Sequence, residues 1–297
     1  MKGTQIPFNP LPFPVLLFIA QKFRGIGASI SKSMPYLKLD LRYAEIDLSA
    51  EDYGGIIFVL FAFYFAVVSI LAYMFAGRFG IKEPILPALT LGAIFAFLIL
   101  IQLSLYPKIK VKKKERGIER NLIFSLRTLL VEIKSGVTLF DSIKLIAYGD
   151  FGEVSKEFKK AVKDIETGRI QEEALEDIAS FNPSFFFRRT LWQLLNGLKA
   201  GADVSVVLRS LVDTLSKEQR NQVRKYGSSL KLLSLVYMML GVIVPALGLT
   251  FLIILASFPQ IKIQEWMFWG LLIFLLIGQF MFLGVLKTNR PSLIEGE

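Results

Sequence analysis

Four long runs of residues without a charged side chain limit the fold of this sequence more than any other feature. They comprise residues 54–76, 84–106, 232–259 and 266–286. Each is longer than about 18 residues, which is enough for a helix to cross a hydrocarbon core of about 30 Å. Four buried helices of a soluble core are the alternative, but such helices rarely lack charge over this length. The runs therefore predict an all-α, polytopic membrane protein with four transmembrane helices.

The charged residues between these runs predict the orientation of the chain. Segment 107–230 contains 23 basic and 16 acidic residues, and KIKVKKKER lies at its start. The predicted turns at 77–83 and 260–265 carry only one or two basic residues each. By the positive-inside rule, segment 107–230 and both termini lie in the cytoplasm, and Lys287 and Arg290 agree with this placement.

Residues 1–53 include one apolar stretch, FPVLLFIAQKF, that is too short to cross a membrane. A signal peptide is the alternative, but prolines flank the stretch and no small-residue cleavage site follows it. We expect amphipathic helices on or near the inner membrane surface. The sequence SAED, starting at Ser49, predicts a capped helix start that leads into the first span.

The composition argues against most catalytic chemistry. The chain has no Cys and no His, which excludes disulfides, thiolate nucleophiles, imidazole bases and most zinc sites. The predicted spans hold no Asp, Glu, Lys or Arg, which argues against an intramembrane proton relay. We therefore expect no enzyme activity, no catalytic residues, no metal site and no cofactor.

Two features imitate chemical motifs. The tripeptide DFG at 150–152 resembles the metal-binding motif of kinases, but the histidine and the glycine-rich loop of a kinase are missing. Several carboxylates could suggest an acid–base pair, and we expect them instead on solvated helix faces: Glu153, Glu157, Glu172, Glu173 and Glu176.

Segment 107–230 has the apolar periodicity of about six helices separated by glycines. Gly136 and Gly201 are each followed two residues later by a helix-capping residue, Thr138 or Asp203. Gly168 shares part of this spacing. The stretch NGLKAGADVSVVL around Gly201 could be a phosphate loop or a membrane dimer motif. It lacks the Lys-Ser/Thr end of a phosphate loop, and it carries charges that a membrane dimer motif does not have. We interpret all three glycines as helix corners.

Three stretches of this segment resemble the F-domain family of type II secretion systems. They are LIFSLRTLLVEIKSGVTLFDSIKLIA, FGEVSKEFKKAVKDIETGRIQEEALEDIA and FFFRRTLWQLLNGLKAGADVSVVLRSLVDTL. The relatives of this family are the membrane platform proteins of type IV pili, tight-adherence pili and archaeal archaella. The resemblance implies a six-helix cytoplasmic bundle between two pairs of spans. The single copy looks closer to the tight-adherence and archaeal platforms than to the bacterial form, which has two such domains.

The resemblance divides the chain into an N-terminal region (1–53), a first helix pair (54–106), an F domain (107–230), a second helix pair (231–286) and a tail (287–297). It implies an assembly platform that couples a hexameric cytoplasmic ATPase to pilin-like subunits, with a homodimer or a paralogous subunit supplying the second domain. A small channel or transporter with a regulatory domain is the alternative. The predicted contacts to the ATPase or to anionic lipids are Lys112, Lys113, Lys114, Arg116, Arg120, Arg188 and Arg189. No nucleic-acid partner is expected.

Overall fold

The computed structural model of the 297-residue chain describes residue 10 and residues 12–78, 85–258 and 264–288. Within these ranges every regular element is a helix and there is no strand. Most of the predicted turns at 77–83 and 260–265 lie outside the described residues. The predicted tail also lies outside them from residue 289 onwards, and Arg290 with it.

The described residues form twelve α-helices. They are α1 (Phe13–Lys22), α2 (Arg24–Lys32), α3 (Leu37–Tyr43), α4 (Ala50–Arg78), α5 (Ile85–Lys134), α6 (Leu139–Tyr148), α7 (Glu153–Glu166), α8 (Gln171–Ser180), α9 (Phe185–Lys199), α10 (Val204–Met238), α11 (Val244–Ala256) and α12 (Glu265–Thr288). Segment 107–230 thus contains the end of α5, four complete helices and the start of α10. The association of these parts into one six-helix bundle stays a prediction.

Three helical stretches of the described chain are long and apolar enough to cross a membrane: Ala50–Ala76, Ile85–Lys134 and Val204–Ala256. A shorter apolar stretch, Phe268–Phe280, lies on α12, where the fourth span is predicted. Helices α1 and α2 also pass as a pair, but they are bent by 85° at their junction. The described part of this multi-pass membrane protein is therefore all-helical and contains three or four candidate spans.

The helices that contain the second and third candidate spans continue past the boundaries that the sequence predicts for these spans. Helix α5 contains Pro107 and continues to Lys134, so that its 50 residues extend over about 75 Å at 1.5 Å per residue. Helix α10 likewise runs from Val204 into the third apolar run. Both predicted boundaries of the F domain, at 107 and at 230, thus fall inside continuous helices.

Pro245 is the second residue of α11, and a π-helical turn, Met239–Ile243, lies directly before this helix. A proline lacks the backbone N–H, and its ring clashes with the carbonyl of the residue four positions earlier. A wider π turn relieves this conflict without ending the helix. Helix α11 packs closely against α12 at Gly248, where an added Cβ would lie 3.3 Å from Leu271 Cδ1.

The chain divides into two compact units. The first contains the residues up to Ile118 together with Lys156–Trp192, and the second contains Glu119–Ser155 together with the residues from Gln193 onwards. In the first unit the apolar core joins the N-terminal helices to α4 and α5, and it includes Leu16, Leu41, Tyr53, Leu60 and Leu103. In the second unit the buried residues include Leu122, Leu126, Ile143, Ile146 and Leu208.

Glycines let α1 and α2 pack closely against the start of α4. A Cβ on Gly27 would lie 2.2 Å from Glu51 O, and one on Gly55 would lie 2.7 Å from Ala20 O. Any larger residue would force these backbones apart. The predicted cap is present at the start of α4, where the Asp52 N–H donates to Ser49 Oγ at 3.0 Å.

Candidate functional site

The three glycines predicted as corners have left-handed backbone conformations. Their φ angles are +90° at Gly136, +97° at Gly168 and +71° at Gly201. At each corner the glycine N–H donates to the carbonyl three residues back, and the next N–H donates to the carbonyl five residues back. This pair of bonds is the Schellman motif. Because the helix end already uses the N–H groups of Gly201 and Ala202, they cannot cradle a phosphate.

The capping residues also lie at helix starts. Thr138 Oγ1 accepts from the Asp141 N–H at 3.2 Å, and Asp203 Oδ1 accepts from the Ser205 N–H at 2.8 Å. Bonds from the Ser205 hydroxyl and backbone lower the pKa of Asp203. Together with the glycines, these residues set where one helix ends and the next begins, and the hydrogen bonds of both kinds of residue lie within the chain.

A cluster of four charged side chains, which the sequence did not reveal, lies in the first unit. We call it the charge cluster; its members are Glu45, Lys114, Glu157 and Lys160. Lys114 Nζ lies 2.7 Å from Glu45 Oε1 and 2.9 Å from Glu157 Oε1. Lys160 Nζ also pairs with both carboxylates, at 2.7 Å from Glu157 Oε1. The cluster connects the α3–α4 loop to helices α5 and α7.

Glu157 is the buried member of the charge cluster, with only 4% of its side chain exposed. The Asn182 side-chain amide donates to Glu157 Oε2 at 3.2 Å, so the α8–α9 loop also holds this carboxylate. The expectation that Glu157 lies on a solvated helix face was therefore wrong. The reason is its position on α7 between Val154, Phe158 and Ala161, which all face the core.

Glu45 is held in an unusual state. It has a φ of +54° without being a glycine, a conformation that is uncommon for such residues. Partial burial opposes its ionisation, but hydrogen bonds and charges from Lys114 and Lys160 outweigh this effect and lower the pKa of Glu45 to about 2. Burial likewise disfavours the charged form of Lys160, yet Glu157 and Glu45 raise its pKa. The loop before α4 is thus fixed by ion pairs at neutral pH.

The basic residues predicted as contacts fall into two groups. Lys112, Lys113, Arg116 and Arg120 are exposed on α5. Lys114 differs from them, because only 12% of its side chain is exposed and it is part of the charge cluster. The predicted patch on α5 therefore does not present five equivalent cations.

Arg188 and Arg189 also differ in their surroundings. The Arg188 guanidinium is partly buried and donates to Asn182 O at 2.6 Å, so it supports the α8–α9 loop. Arg189 is exposed. The predicted pair thus offers one accessible cation, and Arg188 has a structural role.

Arg189 has aromatic neighbours on the same face of α9. Phe185 and Trp192, four residues before and three after Arg189, are about half exposed, whereas Phe187 and Leu191 on the other face are buried. We call Phe185, Arg189 and Trp192 the α9 face. Sequence reasoning named only the arginine, although the spacing of 185, 189 and 192 was visible.

Among the described residues, no group of three or more acidic, His or Cys side chains is arranged to hold a metal ion. A further acidic group, Asp164, Glu173 and Asp177, surrounds Arg169 instead, with Asp177 Oδ2 at 2.6 Å from Nη1. The chemistry that these side chains support is charge pairing and surface contact.

Residues 125–252 match the family model described as type II secretion system (T2SS), protein F. This range runs from the end of α5 through α6–α10 and into α11. Neither the curated proteins nor the solved structures gave a match. Residues 125–252 of this multi-pass membrane protein are therefore a domain of the type II secretion system protein F family.

Proposed function

We propose that this chain is the integral-membrane platform of a type IV pilus-like, type II secretion-type filament machine. In this role it anchors the machine and couples a cytoplasmic secretion ATPase to the insertion of pilin-like subunits. Proteins with this domain are membrane platforms that work with secretion ATPases and pilins. The observation that carries the proposal is that the family match, residues 125–252, begins inside α5 and continues along α10 into the third candidate span, with no loop between the matched helices and these spans.

Unbroken helices suit mechanical coupling. A continuous α-helix is held by one backbone hydrogen bond per residue, so a displacement at one end moves the other end as well. A Gly/Ser-rich linker would behave as a flexible coil and absorb the displacement. Helices α5 and α10 can therefore deliver motion of the cytoplasmic part to the membrane part.

The α9 face is our candidate for ATPase docking. Trp, Arg and Phe are enriched in the central contacts of protein interfaces, and all three are exposed here. The positive charge of Arg189 and of segment 107–230 favours an acidic partner surface. The contact that the sequence predicts between the ATPase or lipid and the exposed cations Lys112, Lys113, Arg116 and Arg120 stays a prediction, and these cations are not part of our docking face. Arg188 is no longer a suitable docking probe, because changing it also perturbs the α8–α9 loop.

The proposal also includes the arrangement of the machine. Segment 107–230 and both termini face the cytoplasm, as the basic bias indicates. A second F domain comes from a second copy of this chain or from a paralogous subunit, in contact with the pilin-like subunits.

Binding of the cognate hexameric secretion ATPase to the full-length protein in nanodiscs tests the docking face. Trp192→Ala should weaken binding about tenfold or more, which is the usual effect of truncating a central interface residue. Arg189→Glu should weaken it several-fold at low salt and less at high salt, because salt screens exposed charges. Arg209→Glu is the matched control, since Arg209 is an exposed arginine on α10.

Equal weakening by Arg209→Glu and Arg189→Glu would show that only net charge matters and would refute the α9 face. No binding of the wild-type chain by the ATPase would contradict the platform proposal itself. Substrate-dependent flux through liposomes that contain the purified chain would instead favour the channel or transporter.

A further inference from the structure

A pocket of about 890 Å³ lies at the start of the first candidate span. Its walls come from the end of α2, from α3, from the α3–α4 loop and from the first turn of α4. Its apolar lining includes Met34, Leu41 and Leu48, and its basic lining includes Lys32, Lys38 and Arg42. This volume is in the range of pockets that hold a small ligand.

The charges that line the pocket are not balanced once its internal ion pairs are considered. Arg24, which also lines the pocket, lies 3.3 Å from Glu51 and 3.1 Å from Asp52. Glu45 belongs to the charge cluster and is neutralised by Lys114 and Lys160. The carboxylates of Glu45 and Glu51 both line the pocket, but neither is available to balance its lysines.

Three cations then face one carboxylate, Asp47, in the pocket lining. Lys32 and Lys38 are exposed, and within the described ranges neither has an ion-pair partner. The guanidinium carbon of Arg42 lies 3.8 Å from the centre of the Phe181 ring, a cation–π contact that does not neutralise its charge. A ligand with negative charge is therefore favoured.

The pocket also lies where lipid headgroups are expected. Its wall includes Ala50 and Glu51, and the first candidate span begins at Ala50. On the same segment Tyr36 and Leu39 are exposed on either side of Lys38. An exposed aromatic and an exposed leucine beside lysines are typical of the interface between water and the bilayer.

We propose that this pocket binds the phosphate-bearing headgroup of an anionic lipid, with Lys32 and Lys38 as its principal contacts. The inference rests on the proposed cytoplasmic orientation of the N-terminal region but not on ATPase coupling. The pocket is separate from the α5 lysines that the sequence predicts as lipid contacts, of which Lys114 is already paired within the protein. It also gives the ion pairs of Glu45 a role, since they fix one wall of the pocket.

The test is native mass spectrometry of the full-length protein released from nanodiscs. The nanodiscs contain phosphatidylcholine with one third phosphatidylglycerol, or phosphatidylcholine alone. We expect wild-type protein to retain phosphatidylglycerol in preference. The double variant Lys32→Gln/Lys38→Gln should lower this retention about tenfold or more, because each lysine near an anionic surface contributes severalfold to affinity. The matched control is Lys217→Gln/Lys225→Gln, which removes two exposed lysines from α10.

Three outcomes would overturn the proposal. The first is equal loss of phosphatidylglycerol in the pocket variant and in the control. The second is unchanged retention in the pocket variant. The third is displacement of the lipid by inorganic phosphate at the same concentration, because the site would then be one for a soluble phosphate. Thermal unfolding of both variants in detergent checks that they are folded, and ATPase binding by the pocket variant should equal that of wild type.

Discussion

Replacing Glu157 by Gln should destabilise the protein far more than replacing its ion-pair partner Lys160 by Gln. The side chain of Glu157 is 4% exposed and that of Lys160 is 44% exposed. Removing one partner of a buried ion pair typically costs about 3–5 kcal/mol because the other charge stays buried. Lys114 keeps its pair with Glu45, and the new amide can keep the bond from Asn182, so we expect about 2–3 kcal/mol for Glu157→Gln. For the exposed Lys160 we expect less than about 1 kcal/mol.

Thermal unfolding of the full-length protein in a mild detergent measures this difference. A change of 1 kcal/mol shifts the Tm of a chain of this size by roughly 2–4 °C. Glu157→Gln should therefore lower the Tm by roughly 4–12 °C and Lys160→Gln by less than about 4 °C. A double-mutant cycle between the two positions isolates their coupling from other effects. Equal shifts for the two single variants, or no coupling between them, would refute the account of Glu157 as the buried centre of the charge cluster.

Further predictions concern the stability of the protein in acid, the helix corner at Gly201 and the membrane topology. Because the pKa of Glu45 is lowered to about 2 from 4.5, its contribution to stability is fully present above about pH 4.5 and is lost as the pH falls towards 2. The Glu45→Gln variant should therefore lack this loss of stability between about pH 4.5 and pH 2. An acid-unfolding profile equal to that of wild type would contradict the ion pairs of Glu45. Gly201→Val should lower the free energy of unfolding by about 1 kcal/mol or more, because Gly201 has a φ of +71°. Gly201→Asn should lower it less, because Asn tolerates this conformation. Equal unfolding midpoints for the two variants would exclude backbone strain at this position. The chain has no native cysteine, so an impermeant thiol reagent applied from outside should label Lys262→Cys and spare the exposed Thr167→Cys; the reverse pattern would invert the topology.

Local signals made the spans and the helix corners predictable. Uncharged runs of membrane length leave few alternatives to a spanning helix. A glycine followed by Thr138 or Asp203 specifies a helix end and the next helix start within a few residues. The continuity of α5 through Pro107 was not visible, because the same proline is equally compatible with a break.

The charge cluster could not be found in this way, because its members are far apart in the sequence. Glu45 and Lys160 approach only when the N-terminal segment packs beside α7 in the first unit. One part of it was accessible: the helical phase set by Val154, Phe158 and Ala161 places Glu157 on the buried face. A buried carboxylate predicts a partner cation, although it does not say which one.

A pair of variants in α5 tests directly whether this unbroken helix is needed to couple the cytoplasmic domain to the membrane part. Lys112→Gly with Lys113→Pro would kink and loosen α5 between its apolar part and the family domain, because a second interior proline after Pro107 removes a further backbone hydrogen bond and the glycine before it adds flexibility. Lys112→Ala with Lys113→Ala removes the same two charges and preserves the helix. Both variants replace the native chain in cells that assemble the filament.

We expect the Gly-Pro variant to insert into the membrane and to bind the ATPase but to assemble no filament. We expect the Ala-Ala variant to assemble filaments at close to the native level. Filament assembly by the Gly-Pro variant at the level of the Ala-Ala variant would contradict the claim that α5 transmits motion from the cytoplasmic domain to the membrane.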